Sequence, residues 1–403
     1  MRHIVFALGV LGMAALSLLA FAVLRSQPAQ EQEAPERLLT SQADTAFHET
    51  ELLQEKPPRI VREETKGVYL TRWSAGSEVR VAQVLELARQ GKVNSVVVDI
   101  KDSGGSVAYD SGVLEAAALG AERGNIKNIA LFLERFHEAG LYVIARIAVF
   151  QDPVFAGAHP EYALRKESSP QELWTDNKGL AWVDPAARAA WEYNAALATD
   201  AFSRGFDEVN FDYVRFPSDG NLSDISYPVW DEEMPMREVI SSFYEYLDAG
   251  LRNKVISVDL FGLAAADTWD DMGIGQVLED ALPFFDFISP MVYPSHFAPG
   301  FLGFKNPDEH PYEVVNFSLQ RARERVAEFA KTRESAAKLR PWLQYFDLVD
   351  SKVSYDSSLI REQIRAAEDA LGKDFAGFLL WNPENVYPPE EVGEITKEGV
   401  DAL

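Results

Sequence analysis

Cysteine is absent from the 403 residues, which excludes disulfides, thiolate nucleophiles and cysteine-ligated metals. Histidine is scarce: there are six, and His3 and His48 precede the regularly patterned part of the chain. No H-x-H or H-x-x-E-H pair occurs, so a metal-dependent hydrolase is not expected, and no cofactor is expected either. Also missing are a G-x-G-x-x-G after the first strand pattern, a G-x-S-x-G elbow and a phosphate-binding glycine loop, the marks of dinucleotide binding, serine hydrolysis and nucleotide hydrolysis. Basic residues are in the minority, 38 Lys and Arg against 63 Asp and Glu, for a formal charge of -25. Such a chain repels phosphates, which argues against a nucleic-acid partner and against a polybasic membrane-surface binder. Apolar residues make up 47% and charged residues 25%, enough to bury a large core, so disorder is not the main state.

The first residues are different in kind. Met1-Arg2-His3 is followed by an apolar run from Ile4 to Leu24, closed by Arg25. Its 21 residues are long for a signal-peptide core and about right for one membrane span. Ala20-Phe21-Ala22 offers a small-x-small cleavage site. Residues 1–25 are therefore read as a membrane anchor or a signal peptide, and the rest as extracytoplasmic, anchored by that helix or secreted. Residues 26–60, rich in Gln, Glu, Pro, Ala and Ser, read as a polar linker.

From Val61 to the end the pattern is uniform. Eight short β-branched and aromatic runs alternate with amphipathic stretches: 67–71, 95–101, 142–150, 208–216, 255–261, 287–293, 341–346 and 377–381. Each reads as a strand buried on both faces. Helical patterns lie between them at 79–90, 129–139, 185–204, 314–330 and 359–371, several closed by Gly91, Gly140, Gly205 and Gly372. Asp184-Pro185 looks like an N-cap followed by proline at the first helical position. Eight strands with helical crossovers predict an α/β fold, a single (β/α)8 TIM barrel over residues 61–403. The long βα segments follow strands 3, 4 and 6, on the face where barrel active sites are built. Trp174, Trp182 and Trp230 in them favour order.

The strand ends carry carboxylates, aromatics and amides. Glycosidic cleavage uses that combination: one carboxyl as proton donor, another as nucleophile or base, and flat apolar faces for sugar rings. Asp212 ends strand 4 on the same face as Asn210, where a carboxylate needs a partner; Arg215 is the expected one, holding Asp212 ionised. Asp259 has the same logic one strand on and is the leading proton donor, with Glu384 as its rival. Asp99 and Asp102 are expected to face opposite ways, one of them pairing with Lys101 or Arg146. Arg146 faces inward and could instead neutralise Asp212 or Asp102. Tyr293 shares the axial face with Met291, Gln344 ends strand 7, and Trp381 and Trp73 could floor and flank a sugar subsite.

Several motifs then occur in order: GVYLT (67–71), VDIKD (98–102), ARIAVF (145–150), WTD (174–176), WVDP (182–185), NFDYVRFP (210–217), SPMVYP (289–294) and LWNP (380–383). Together, over about residues 66–390, they resemble the putative glycosyl hydrolase domain family of bacterial TIM barrels. The resemblance implies a glycoside hydrolase-like barrel, distantly similar to amylase-type and chitinase-type enzymes. By the amylase-type analogy Asp212 is the nucleophile and Asp259 the acid. By the chitinase-type analogy Asp207, Asn210 and Asp212 stand at the three aspartates of D-x-x-D-x-D-x-E, while Val214 replaces the glutamate.

The function expected is hydrolysis of an extracytoplasmic polysaccharide by paired carboxylates, with a polysaccharide or oligosaccharide as substrate. A non-catalytic carbohydrate-binding barrel of the envelope would share the tryptophans without needing two poised carboxylates. A deacetylase-type barrel would need the histidine and metal pattern that is missing.

Overall fold

The computed structural model describes residues 63–266, 270–333, 337–348, 352–390 and 392. The expected anchor (1–25) and polar linker (26–60) lie outside the described residues. Eight parallel strands close on themselves: β1 Thr65–Leu70, β2 Ser95–Lys101, β3 Tyr142–Ala148, β4 Glu208–Asp212, β5 Ile256–Phe261, β6 Phe287–Val292, β7 Trp342–Gln344 and β8 Gly377–Trp381. Each pairs with its successor, and β8 pairs with β1 through Gly377 beside Thr65 and Leu380 beside Val68. The expected (β/α)8 barrel is the observed fold.

Alternation within each strand divides the side chains between two layers. In β4, Val209 and Phe211 point outward into the large core between strands and helices, while Glu208, Asn210 and Asp212 share the opposite, axial face. In β5, Ile256, Val258 and Leu260 join the outer core, leaving Ser257, Asp259 and Phe261 for the axis. The outer layer is completed by α1 Glu78–Arg89, α2 Ile129–Glu138, α3 Arg188–Arg204, α4 Met236–Gly250, α5 Leu278–Ala281, α6 Pro311–Phe329 and α7 Ser357–Leu371. Among the described residues, no helix is long and apolar enough to cross a membrane.

Two local expectations are corrected. Helix α3 begins at Arg188, with Ala187 at its N-cap, so Pro185 is not its first residue. Asp184 instead accepts from the backbone N–H groups of Ala186, Val229 and Trp230 at 2.8–2.9 Å, tying the segment after β3 to the one after β4. A second tie is an antiparallel sheet of Arg165–Lys166 with Ser169–Leu173 and Ile225–Ser226. The segment between β2 and α2 is also long and carries a short helix, Leu114–Ala118.

Deep in the barrel, Arg340 grips Glu208 with both Nη atoms, Nη1 to Oε2 at 3.1 Å. Both side chains are fully buried, and Ser257 Oγ donates to Glu208 Oε1 at 2.5 Å. Removing one member of such a pair leaves an unneutralised charge in the core, which costs about 3–5 kcal/mol. Arg340→Met is therefore expected to lower the urea midpoint by that much stability. Glu208→Gln added to it should restore part of the loss; an unchanged midpoint in Arg340→Met would contradict this role.

Candidate active site

At the C-terminal ends of the strands one cavity of about 580 Å³ opens, lined by residues of β3 to β8 and of the loops beyond them. Arg146 on β3 organises its floor. Its Nη1 donates to Asp99 Oδ1 at 2.5 Å, its Nη2 donates to Asp212 Oδ2, and its Nε lies 3.7 Å from Asp259 Oδ2. One planar guanidinium thus faces three carboxyls, which suits its fixed fork of donors. Tyr69 on β1 donates its hydroxyl to Asp99 Oδ2.

Strand alternation delivers Arg146, Asp212 and Asp259 to the axis. In β2 a register shift between Asp99 and Lys101 intervenes. Asp99 turns inward, and Lys101 turns outward to Asp152 Oδ2 at 2.7 Å and to Asn194 Oδ1 at 3.0 Å. A bulge of this kind re-aims one side chain without ending the strand.

The two catalytic candidates differ in surroundings. Asp212 Oδ1 accepts from the Tyr213 backbone N–H at 2.5 Å. Tyr213 has φ 54°, a left-handed conformation costly for a bulky residue. That twist ends β4 and curls its own N–H back onto the carboxylate. Asp259 is 1% exposed. Its Oδ1 accepts from Asn210 Nδ2 and from the Trp342 indole N–H, both at 2.8 Å. Its buried Oδ2 has no hydrogen-bond partner. Burial, then the nearby Asp212 charge, push the Asp259 carboxyl up to about 8, against the opposing pull of Arg146. At neutral pH Asp259 therefore holds a proton, and Oδ2 is the atom left to carry it. Because Arg146 touches both acids, the carboxyls lie within the roughly 10 Å over which glycosidic chemistry is done.

Aromatic side chains form one wall. Tyr293 stacks on Trp381 with centroids 5.2 Å apart and planes at 28°, and Phe346 meets Trp381 edge-on at 5.0 Å. Burial of the Tyr293 phenol, followed by the Asp259 and Asp212 charges, raises its pKa, so it stays a hydrogen-bond donor.

Of the expected site residues, Arg146, Asp212, Arg215, Asp259, Tyr293 and Trp381 line this cavity, and Asn210 supports Asp259 from below. The rest lie apart from it. Asp102 pairs with Arg72 and accepts from the N–H groups of Gly104 and Ser106, each at 3.0 Å. Gln344 is fully buried, spanning from the Ser295 N–H (3.1 Å) to the Phe346 carbonyl (3.0 Å). Glu384 is exposed on the turn after β8, and Trp73 is 66% exposed with Arg72 over its ring. Of the two partners offered for Asp212, Arg146 takes that place and Arg215 does not. Arg215 instead lies over Trp182, Phe261 and Tyr213 at 4.8, 4.8 and 5.3 Å.

Sequence reasoning missed Trp342 and gave Tyr69 no role. The signal for Trp342 was present, since it shares the face of Gln344 by alternation. Tyr69 likewise precedes Thr71 by two positions. Among the described residues, no group of three or more His, Asp or Glu is arranged to hold a metal ion.

Similar folds are known among solved structures. The PgaB (BpsB) glycoside hydrolase domain from Bordetella bronchiseptica is 15% identical, with TM-score 0.55 over 80% of this chain and 95% of that one. Alpha-L-fucosidase isoenzyme 2 from Paenibacillus thiaminolyticus is 13% identical, with TM-score 0.53 over 83% of this chain and 48% of that one. The alpha-galactosidase from Thermus thermophilus, solved with stachyose, is 15% identical, with TM-score 0.50 over 84% of this chain and 66% of that one. These likenesses concern the barrel fold. No curated protein matches in sequence. A family model described as "Putative glycosyl hydrolase domain" matches residues 67–387, and the chain belongs to that family.

Proposed function

We propose that the protein is a glycoside hydrolase acting on an extracytoplasmic polysaccharide. Asp212 serves as nucleophile, or as base if the reaction inverts, and Asp259 as proton donor. The observation that carries this reading is the pair itself. Two carboxyls share one guanidinium and one cavity, and their surroundings differ: Asp212 is ion-paired at the strand end, while Asp259 is buried and held protonated near neutral pH. A division of labour between two acids is what glycosidic cleavage requires. Protonating the leaving oxygen from Asp259 leaves that group anionic beside Arg146, which stabilises the new charge. Asp212 meanwhile attacks the anomeric carbon, or takes a proton from the attacking water. The stacked Tyr293 and Trp381 offer a face to a sugar ring. Family membership supports the same reading, as do the apolar run at residues 4–24 and the polar linker, which favour delivery across a membrane.

A non-catalytic carbohydrate-binding barrel would keep the aromatic wall but has no use for a protonated acid beside one that is paired with an arginine. The test is release of reducing sugar by the full chain from a panel of envelope and capsule polysaccharides. Release from at least one is expected; binding without release from any would favour the non-catalytic barrel.

A further inference from the structure

The described buried arginines form contact ion pairs with carboxylates, with one exception. Arg72 pairs with Asp102, Arg325 with Glu279, Arg340 with Glu208, and Arg146 with three acids. Arg215 is 6% exposed and lines the cavity, yet no carboxylate oxygen of the described residues forms an ion pair with it. Its Nη1 donates to the Phe216 carbonyl at 3.1 Å and to Ser218 Oγ at 3.0 Å. Its Nε and Nη2 make no hydrogen bond among the described residues. Nε and Nη2 together form one side of the guanidinium fork, the side that takes a carboxylate or sulfate with two parallel bonds. Aromatic rings at 4.8–5.3 Å from its central carbon hold the group in place.

A cation in this position is costly unless a counter-ion arrives. In a chain with 63 acidic residues and 38 basic ones, an acid to pair with it was readily available. The two carboxylates lining the same cavity, Asp212 and Asp259, are engaged by Arg146. A second cation, Lys178 on the segment after β3, lines the cavity from an exposed position and forms no ion pair among the described residues. The cavity therefore has an acid–base floor and, apart from it, cationic groups with unused donors.

We propose that Arg215 and Lys178 form a subsite for an anionic sugar unit, a ring bearing a carboxylate or a sulfate, beside the Asp212–Asp259 pair. The proposal rests on the glycoside hydrolase reading and narrows its substrate class to acidic polysaccharides. Arg215 grips the anionic group through Nε and Nη2, and Lys178 adds long-range attraction at the mouth, where screening by salt is strongest.

The test is calorimetric titration of the full chain carrying Asp212→Asn, which prevents turnover during binding. The probes are oligogalacturonate, its neutral methyl ester, sulfated dextran oligosaccharides and plain dextran oligosaccharides. At least one acid should bind ten times or more tighter than its neutral counterpart, with affinity falling as salt rises. Comparing the uronate and sulfate arms shows which anion is preferred. Arg215→Met should reduce binding of the acid to the level of the neutral form. Lys178→Met, on an exposed position, should reduce it by a smaller factor and keeps the test decisive if Arg215→Met folds poorly. Equal binding of acid and neutral form, no effect of either substitution, or no binding of any anionic probe would overturn the proposal. Turnover by the unsubstituted chain is read separately. Charge-dependent binding with no turnover of any glycan overturns the hydrolase reading alone. Turnover of neutral glycans without charge dependence overturns the anionic subsite alone.

Discussion

Replacing Asp212 by asparagine is expected to lower kcat on a hydrolysed glycan by about three to five orders of magnitude, as losing a nucleophile does elsewhere. Asparagine keeps the size of the side chain and can still accept from the Tyr213 N–H, the bond that shapes the end of β4. What it lacks is the charge that faces Arg146 and the oxygen that attacks. KM should change little, because sugar stacking on Tyr293 and Trp381 does not involve this group. The circular dichroism spectrum should be that of the parent. Near-normal turnover in Asp212→Asn would remove it from the mechanism.

Asp259→Asn should lower kcat by about two to four orders of magnitude on natural glycans, the range for a lost general acid. The loss should be small on aryl glycosides, whose leaving groups need no proton. Because burial and the Asp212 charge raise the Asp259 carboxyl to about 8, parental activity should fall as pH rises through that value, and the variant should lack this limb. Stability follows with a definite sign. The folded chain keeps a proton that the unfolded chain, with an ordinary value of 3.8, gives up, so parental stability declines as pH rises from 3.8 to about 8. Asparagine cannot ionise and can still accept from Asn210 and Trp342. The variant should therefore melt higher than the parent at pH 9, by a margin that shrinks as the pH is lowered. A variant that melts lower at pH 9, or keeps the alkaline limb, would show that Asp259 is not the protonated acid.

The barrel was legible in the sequence because its signals are local and redundant. A strand such as Ile256–Phe261 is buried on both faces, and a helix such as Leu359–Leu371 ends in a glycine that tolerates positive φ. Alternation also placed Asn210, Asp212 and Asp259 on the axial face. Sequence spacing could not show which charges meet. Arg215, three residues from Asp212, was the nearest cation in the chain. The observed partner is Arg146, 66 residues away, because β3 and β4 are neighbours with Ala148 beside Asp212. The register shift in β2 defeats simple alternation at Lys101. Asp102 and Glu384 lie just past the ends of β2 and β8, where Asp102 is held by Arg72 and two backbone N–H groups and Glu384 is exposed. Gln344, the last residue of β7, has its side-chain amide bound to the Ser295 N–H and the Phe346 carbonyl. The Asp184 ties to Val229 and Trp230 join segments 45 or more residues apart, a distance at which no local pattern exists.

The central claim is that these two carboxyls together break a glycosidic bond. It is tested most directly by proton NMR of a reaction mixture containing the full chain and the polysaccharide identified in the panel. The parent should generate new reducing-end anomeric signals. The first anomer to appear would also tell retention, expected for carboxyls about 5 Å apart, from inversion, expected at about 6.5–9.5 Å. A chain carrying both Asp212→Asn and Asp259→Asn should generate none on the same timescale, losing no more than the stronger single substitution because the two groups act as a unit. No new reducing end from the parent, or an undiminished signal from the doubly substituted chain, would contradict the account.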